Sequence, residues 1–180
     1  ALALGVQLDE LPQAVASLAG ASGRMQRIDS AQGGFIVDYA HTPDALTQVL
    51  ASLRAHCVGK LWAVVGCGGD RDAGKRPLMT QAALDVADAV ILTADNPRSE
   101  DPLAILADMQ AGLSDAQRAR VYVEPDRRAA IAYAVTAAGQ DDLVVIAGKG
   151  HETYQEINGV RHDFDDRVVV AQALAAAGKA

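Results

Sequence analysis

The chain has 180 residues, of which 50% are hydrophobic and 4% aromatic, and its formal net charge is −7. This length and composition fit one α/β domain with an aliphatic core and exclude a disordered chain. The negative charge argues against nucleic-acid and anionic-membrane partners, because proteins bind such partners through basic surfaces. No apolar run approaches the length of a membrane span, and Cys57 and Cys67 lack zinc-site spacing. We therefore expect a cytoplasmic protein with buried free thiols.

The first 22 residues differ in character from the rest of the chain. They contain one predicted helix, 9–18, followed by a joint of small residues that reads Ala-Gly-Ala-Ser-Gly. Such a joint is typical of a linker, so we place a domain boundary at 20–23. The sequence thus predicts the tail of a preceding domain over 1–22 and one complete domain over 23–180.

After this boundary, apolar runs alternate with amphipathic segments. This order is typical of a Rossmann-like, mostly parallel α/β sheet with helices on both faces. Thr42-Pro43 and Asp101-Pro102 each place a capping side chain before a proline at the first helical position, which predicts two helix starts. The end of the chain predicts a hairpin over 155–161 with Asn-Gly as a type I′ turn, then a helix from Asp166 to about Ala177 capped by Asp165. The strands are predicted at 34–38, 61–66, 89–93, 120–123 and 143–147.

The stretch GCGGDRDAGKRP, which we call the glycine loop (66–77), raises the question of a phosphate-binding loop. The spacing of its glycines before Lys75 approaches the P-loop pattern. However, Arg76 stands where a Ser or Thr hydroxyl should hold Mg²⁺. Asp70 and Asp72 would also bring negative charge into a nest of N–H groups that serves anions. We therefore interpret the glycines as serving another purpose.

Polar residues follow four of the predicted strands at the point where each strand ends. Because open parallel sheets bind ligands beyond the carboxyl ends of their strands, these four loops are expected to meet at one edge. They are the His41 loop (38–43), the glycine loop, the Asn96 loop (94–98) and the Lys149 loop (147–152). Their convergence is a stronger signal than any single loop.

Two arginines and one glutamate of these loops favour a zwitterionic ligand. Arg71 and Arg98 could make forked contacts to carboxylates, and Glu152 could accept hydrogen bonds from an ammonium group. Single residues also have structural interpretations: His41 could cap a helix, and Lys149 could be a solvated side chain. These interpretations do not explain why the arginines and the glutamate share one edge.

Six motifs in this order resemble the carboxyl-terminal part of the Mur ligase family. They extend over about 23–174, so the resemblance covers nearly the whole chain, and 1–22 would be the tail of the central ATP-binding domain. The most similar branch of the family adds the third residue of the peptidoglycan stem peptide. The motifs read GRMQRID, VDYAHTPDAL, GCGGDRDAGKRPLM, TADNPRSEDP, AGKGHETYQ and FDDR.

The resemblance also implies residue roles. The Asp-Asn-Pro-Arg form at 95–98 is the signature of relatives that add meso-diaminopimelate, whereas lysine-adding relatives lack the arginine. Diaminopimelate is lysine-like with a further carboxylate at its far end, for which an arginine is a natural partner. By this resemblance the amino acid would be bound by Arg71, Asp95, Asn96, Pro97, Arg98, Gly148 and Glu152. The residues that would face the nucleotide are Arg24, Asp38 and His41.

The implied reaction is an ATP-dependent ligation. ATP would phosphorylate the D-glutamate carboxylate of UDP-N-acetylmuramoyl-L-alanyl-D-glutamate, and the diaminopimelate amine would attack the acyl phosphate. This chain contains no G-x-x-x-x-G-K-[ST] motif, and we predict no metal site in it. ATP, Mg²⁺ and the UDP-dipeptide would therefore be held mainly by other domains, and this chain alone is expected not to complete the reaction.

Three other interpretations stay open. A ligase of the same family could add lysine or another diamino acid, against which Arg98 argues. The glycines at 66–69 faintly resemble a dinucleotide-binding motif, but Arg71 stands where a further glycine should be. A non-catalytic interaction domain would leave the clustered loops unexplained.

Overall fold

The computed structural model describes residues 21–180, so the predicted helix 9–18 lies outside the described residues. The described part is built on a six-stranded sheet and a separate two-stranded hairpin. The sheet strands are β1 (Gln26–Ile28), β2 (Gly34–Asp38), β3 (Leu61–Cys67), β4 (Ala89–Ala94), β5 (Val121–Val123) and β6 (Leu143–Ala147). The hairpin strands are β7 (Tyr154–Ile157) and β8 (Val160–Asp163).

The sheet has the order β1-β2-β6-β3-β4-β5 and is parallel except at one edge. There β1 pairs antiparallel with β2, while all other neighbours run parallel. The predicted fold class is confirmed, and the five predicted strands are present with bounds that differ by at most one residue. Strand β1 was not predicted, because its three residues, Gln-Arg-Ile, form no apolar run.

Helices connect the strands, and three of them begin at the predicted capping residues. The Thr42 hydroxyl accepts from the Ala45 N–H, and the Asp101 carboxylate accepts from the Leu103 N–H, so both caps are confirmed. Asp165 caps the last helix, also as predicted. The helices of the described residues are α1 (Pro43–Arg54), α2 (Lys75–Val86), α3 (Pro102–Met109), α4 (Asp115–Arg118), α5 (Arg127–Ala137) and α6 (Asp166–Ala176).

The core lies on both faces of the sheet because its central strands are covered on both sides. Along β3 the side chains alternate: Ala63 and Val65 pack under α1, α2 and α3, whereas Val64 packs under α5 and α6. The faces of the helices match this, since Leu46 and Leu50 of α1 are fully buried at a spacing of one helical turn. This packing fixes the strands whose ends carry the polar loops.

The hairpin β7–β8 follows the sheet and turns at Asn158-Gly159. Both residues have positive φ values, 50° and 75°, as a type I′ turn requires, and the predicted hairpin is confirmed. No helix in residues 21–180 is both long and apolar enough to cross a membrane.

Candidate functional site

The carboxyl ends of β2, β6, β3 and β4 open into one polar cleft of about 500 Å³. These strands are consecutive neighbours in the sheet, so its topology brings together the four loops that follow them. Each loop contributes to the cleft, and the predicted convergence is confirmed. The cleft is lined by Tyr39, His41, Thr42, Gly68, Arg71, Lys75, Asp95, Asn96, Arg98, Gly148, Glu152 and Tyr154.

The glycine loop and the Asn96 loop lie against each other through their backbones. The Gly69 N–H donates to the Asn96 carbonyl at 2.9 Å, and Arg98 Nη1 donates to the Gly69 carbonyl at 2.7 Å. A Cβ at Gly69 would lie 1.9 Å from the Pro97 carbonyl oxygen, so only glycine fits there. The glycine at position 69 therefore serves the close approach of two loops.

The acidic residues of the glycine loop are used within the protein. The Asp70 carboxylate accepts from the Ser99 hydroxyl and backbone N–H, and these hydrogen bonds lower the pKa of Asp70. The Asp72 carboxylate accepts from the Gly74 N–H at 2.9 Å. These contacts hold the loop in shape and leave Arg71 and Lys75 as its two cations that line the cleft.

Arg76, which prevented the P-loop interpretation, is a buried link between two helices. Its guanidinium makes a two-point contact with Glu100, at 2.8 Å to each oxygen, and a further bond of 2.8 Å to Asp108 of α3. The contact with Arg76 is the main reason why the pKa of Glu100 is lowered. Glu100 also accepts from the Asp70 N–H, so its contact with Arg76 helps to hold the glycine loop in place.

Lys149 lies at the centre of the site and is fully buried, which corrects the interpretation of this residue as a solvated side chain. Its Nζ donates to the Asn96 Oδ1 at 2.9 Å and to the Tyr154 carbonyl at 2.8 Å. The same ammonium lies 3.1 Å from the Asp95 Oδ1 and 3.7 Å from the Glu152 Oε2. No pattern in the sequence indicated this burial, because lysine is rarely buried unless it is paired.

Asn96 links Glu152, an acidic residue that lines the cleft, to the hairpin. Its side chain is buried: Nδ2 donates to the Glu152 Oε2 at 3.0 Å, and Oδ1 accepts from the Glu156 N–H as well as from Lys149. The carboxylate of Glu152 is held on one oxygen by these groups. Pro97, which was predicted among the residues that bind the amino acid, is also buried and does not line the cleft. Its place suits a role in shaping the Asn96 loop.

A third buried cation, after Arg76 and Lys149, lies behind the cleft. Arg127 of α5 is fully buried and contacts Asp166 through two hydrogen bonds of 2.8 and 2.7 Å. Its Nη2 also donates to the Ala147 carbonyl at the end of β6, at 3.0 Å. Burial opposes the charge of Arg127, but the Asp166 carboxylate raises its pKa above the ordinary value. This pair, which sequence reasoning missed, holds the start of the Lys149 loop.

Gly148 occupies a conformation that requires glycine. Its φ is 114°, which other residues rarely adopt, and its N–H donates to the Asp38 carbonyl at 3.1 Å. A Cβ at this position would lie 3.7 Å from the Asp95 Oδ2, so the constraint comes from the backbone rather than from space. Gly148 lines the cleft, so a ligand can approach its backbone there. The close contact between this backbone and the ligand stays a prediction.

Asp38, which is predicted to face the nucleotide, is bound by the backbone of its own domain. It is buried, its Oδ2 accepts from the Met25 N–H and its Oδ1 from the Ala40 N–H, each at 2.7 Å. Both carboxylate oxygens are therefore used by the backbone, and Asp38 does not line the cleft. Its place suits the positioning of Arg24 and His41, which lie one residue from these two N–H groups.

Tyr39 and His41 line one end of the cleft, and further aromatic and basic side chains pack beside them. The Tyr39 ring packs on the His41 ring at a centroid distance of 4.8 Å and on the His151 ring at 5.0 Å. The Arg24 guanidinium lies 5.4 Å from the Tyr39 ring centroid, and the Lys75 Nζ donates to the His41 carbonyl at 3.1 Å. This end offers flat apolar faces beside positive charge, a combination suited to a nucleotide.

No group of three or more His, Cys, Asp or Glu side chains in residues 21–180 is arranged to hold a metal ion. Both cysteines are free; Cys67 is buried as expected, whereas Cys57 is only partly buried. The residues described here therefore supply cations, carboxylates and aromatic faces to the cleft.

Comparison with known proteins identifies the family. The model of the domain "Mur ligase, glutamate ligase domain" matches residues 23–150. The UDP-N-acetylmuramoyl-L-alanyl-D-glutamate--2,6-diaminopimelate ligase of Pseudomonas putida is 50% identical over 176 residues, which are 97% of this chain and 35% of that protein. The ligase of the same name from Xanthomonas campestris pv. campestris is 52% identical over 173 residues, 93% of this chain and 34% of that protein. This chain thus spans about a third of the length of these relatives.

A solved structure agrees with these sequences. A structure of UDP-N-acetylmuramoyl-L-alanyl-D-glutamate--2,6-diaminopimelate ligase is 58% identical, has a TM-score of 0.83, and is matched over 96% of this chain and 35% of its own. A murein peptide ligase from Psychrobacter arcticus shares the fold at 20% identity, with a TM-score of 0.61 over 98% of this chain and 34% of its own. The match of the family model and these similarities show that this chain belongs to the Mur ligase family.

Proposed function

We propose that this chain is the amino-acid-binding and nucleotide-facing domain of an ATP-dependent ligase. The full ligase adds meso-diaminopimelate to UDP-N-acetylmuramoyl-L-alanyl-D-glutamate in peptidoglycan synthesis. The observation that carries this proposal is that Arg71 and Arg98 line the same cleft as Asp95 and Glu152. The names of relatives that are about half identical to this chain point to the same substrates.

The charges of the cleft suit the far end of diaminopimelate, which carries a carboxylate and an ammonium group. Arg71 and Arg98 bind the carboxylate, because guanidinium groups match carboxylates in charge and shape. Glu152 accepts from the ammonium group through the oxygen that Asn96 leaves free. Gly148, whose position has no side chain, lets the ligand approach the backbone.

Discrimination against lysine follows from the same contacts. Lysine lacks the far carboxylate and would leave Arg98 without an anion in a partly closed cleft. A hydrogen bond to a charged group contributes about 1.5–3 kcal/mol, which corresponds to a preference of roughly 10- to 150-fold for the diamino acid. A cleft that preferred lysine would not place two arginines at this point.

The reacting end of diaminopimelate points out of this domain toward the acyl phosphate. ATP phosphorylates the D-glutamate carboxylate, and the free amine then attacks the acyl carbon and releases phosphate. Arg24 and His41, at the aromatic end of the cleft, face the nucleotide during this step. The Mg²⁺ of the reaction is held by the rest of the ligase, as the family resemblance implies.

The proposal is tested by the amino-acid dependence of ADP formation in the full-length ligase. With ATP and the UDP-dipeptide present, meso-diaminopimelate should support turnover with a kcat/KM roughly 10- to 150-fold above that of lysine. Arg98→Ala should raise the KM for diaminopimelate roughly tenfold or more while the KM for ATP stays within about twofold. A kcat/KM for lysine equal to or above that for diaminopimelate, or a variant that loses ATP affinity instead, would contradict the proposal.

A further inference from the structure

Lys149 is a fully buried charged group beside the cleft. Its side chain is fully enclosed, so it cannot reach a ligand directly. Burying an ammonium group costs several kcal/mol unless partners compensate for the lost water. The ammonium of Lys149 has such partners on three different segments of the chain, and each of these segments carries residues that line the cleft.

The first two segments are the Asn96 loop and the Lys149 loop itself. The Lys149 Nζ donates to the Asn96 Oδ1 at 2.9 Å and lies 3.1 Å from the Asp95 Oδ1. It lies 3.7 Å from the Glu152 Oε2, which Asn96 also binds. One ammonium group therefore sits between the two carboxylates of the cleft and the amide that separates them.

The third segment is the hairpin β7–β8. The Lys149 Nζ donates to the Tyr154 carbonyl at 2.8 Å, and the hairpin in turn holds the Asn96 loop by backbone hydrogen bonds. The Arg98 N–H donates to the Glu156 carbonyl at 3.0 Å, and the Asn158 N–H donates to the Arg98 carbonyl. Arg98 has a φ of 53°, a conformation that a side-chain-bearing residue keeps only where its surroundings impose it.

We propose that Lys149 is a positioning residue that sets amino-acid specificity. It acts through Asn96 and the hairpin, which together fix the direction of Arg98 and the place of Glu152. This inference rests on the proposed function, because it names what aligns the two charges that recognise the far end of diaminopimelate. The lysine itself touches neither the amino acid nor ATP.

The role predicts a specific pattern of kinetic change in the full-length ligase. Lys149→Met removes the ammonium but keeps the length of the side chain, so Asp95 and Glu152 repel each other and Asn96 loses a donor. We expect the KM for meso-diaminopimelate to rise roughly tenfold or more, while the KM values for ATP and the UDP-dipeptide stay within about twofold. The preference for diaminopimelate over lysine should fall by a similar factor.

A purely structural lysine would give a different pattern. It would reduce the amount of active enzyme and the thermal stability, with all KM values unchanged. Lys60→Met is the matched control, since Lys60 is an exposed lysine at the opposite ends of the strands. This control should leave kinetics and specificity as in the unaltered ligase.

A gentler variant covers the case in which Lys149→Met does not fold. The Gln155 Nε2 donates to the Asp95 carbonyl at 2.7 Å, so Gln155→Ala removes a second tie between the hairpin and the Asn96 loop. It should raise only the KM for diaminopimelate, by about two- to fivefold, the loss of roughly one weak hydrogen bond. Unchanged diaminopimelate KM values in the variants that fold would overturn the inference. A ligase without diaminopimelate-dependent turnover would instead overturn the proposed function.

Discussion

Arg71 and Lys75 lie four residues apart in the glycine loop, yet their surroundings give them different tasks. Within residues 21–180, the Arg71 guanidinium has one hydrogen bond, to the neighbouring Asp70 carbonyl, and its other N–H groups can meet an anion in the cleft. The Lys75 Nζ already donates to the His41 carbonyl. Of the two cations, Arg71 is therefore the one available to a carboxylate ligand.

Arg71→Ala should raise the KM for meso-diaminopimelate in the full-length ligase by roughly tenfold or more and lower kcat, because a loosely held amine meets the acyl phosphate in poor geometry. Lys75→Ala, its matched control in the same loop, should change either constant much less. Steady-state kinetics on both variants distinguishes a loop that binds the amino acid from a loop that binds phosphate. A phosphate-binding loop would give the opposite order, with ATP turnover lost in Lys75→Ala and diaminopimelate kinetics unchanged in Arg71→Ala.

The two thiols should also differ in reactivity. Burial raises the pKa of the Cys67 thiol to about 11. Three pH units below that value, at pH 8, only about 0.1% of it is thiolate, the form that reacts. Cys57 is partly exposed, and burial raises its pKa as well. Iodoacetamide at pH 8 should therefore modify Cys57 slowly and leave Cys67 unmodified in the native chain, as read by mass spectrometry. Equal labelling of both thiols before denaturation would contradict the burial of Cys67.

At the scale of the elements, Arg76 shows how helix packing supports a binding loop. The residue lies in the first turn of α2, is 3% exposed, and binds Glu100 before α3 and Asp108 within α3. Glu100 then holds the Asp70 N–H of the glycine loop. Arg76, which stands where a phosphate-binding loop would need Ser or Thr, thus connects the packing of two helices to the position of Arg71.

Arg76→Met should destabilise the chain by about 1–3 kcal/mol, less than the loss of one partner of a fully buried ion pair. The reason for the smaller figure is that Glu100 and Asp108 are partly exposed and can be hydrated once the guanidinium is gone. Urea unfolding followed by circular dichroism measures this change. Arg118→Met, which alters an exposed arginine of α4, should shift stability by no more than about 0.5 kcal/mol. An equal effect of the two substitutions would show that the link through Arg76 is not important for stability.

At the scale of the whole molecule, periodicity and turn chemistry were enough to predict the parallel sheet, the capped helices and the hairpin. They also predicted that four loops meet, because parallel strands end at one edge. The sequence could not reveal how polar side chains pair at long range. Lys149 contacts Asn96 across 53 positions and Arg127 contacts Asp166 across 39, and neither pair follows a local pattern. Strand β1 was not predicted for a related reason, because a three-residue edge strand forms by pairing with its neighbouring strand and not from a local pattern of its own.

Carboxylates with lowered pKa values are spread over the whole molecule and make its stability depend on acid. Arg76 lowers the pKa of Glu100, and Arg167 lowers that of Asp165. Burial opposes the charge of Asp142, but N–H donors from Gly139, Lys60 and Trp62 lower its pKa overall. Each group contributes stability that is fully present above its unfolded pKa, near 4, and is lost as pH falls through the lower folded value. The free energy of unfolding should therefore fall between about pH 5 and pH 3.

Asp142 offers the sharpest test of this acid dependence, because its Oδ2 accepts from the indole of Trp62, the single tryptophan of the chain, at 3.0 Å. Asp142→Asn removes the titrating group but keeps one oxygen acceptor. The variant should be less stable than the unaltered chain at pH 7, yet lose less stability on going to pH 3, since its amide stays neutral throughout. Urea unfolding followed by Trp62 fluorescence at both pH values measures the two differences. Asp141→Asn changes the adjacent carboxylate, which has no side-chain hydrogen bond within residues 21–180, and should leave the acid dependence as it is. If Asp142→Asn lost as much stability in acid as the unaltered chain, the hydrogen bonds to Asp142 would not be a source of the acid dependence.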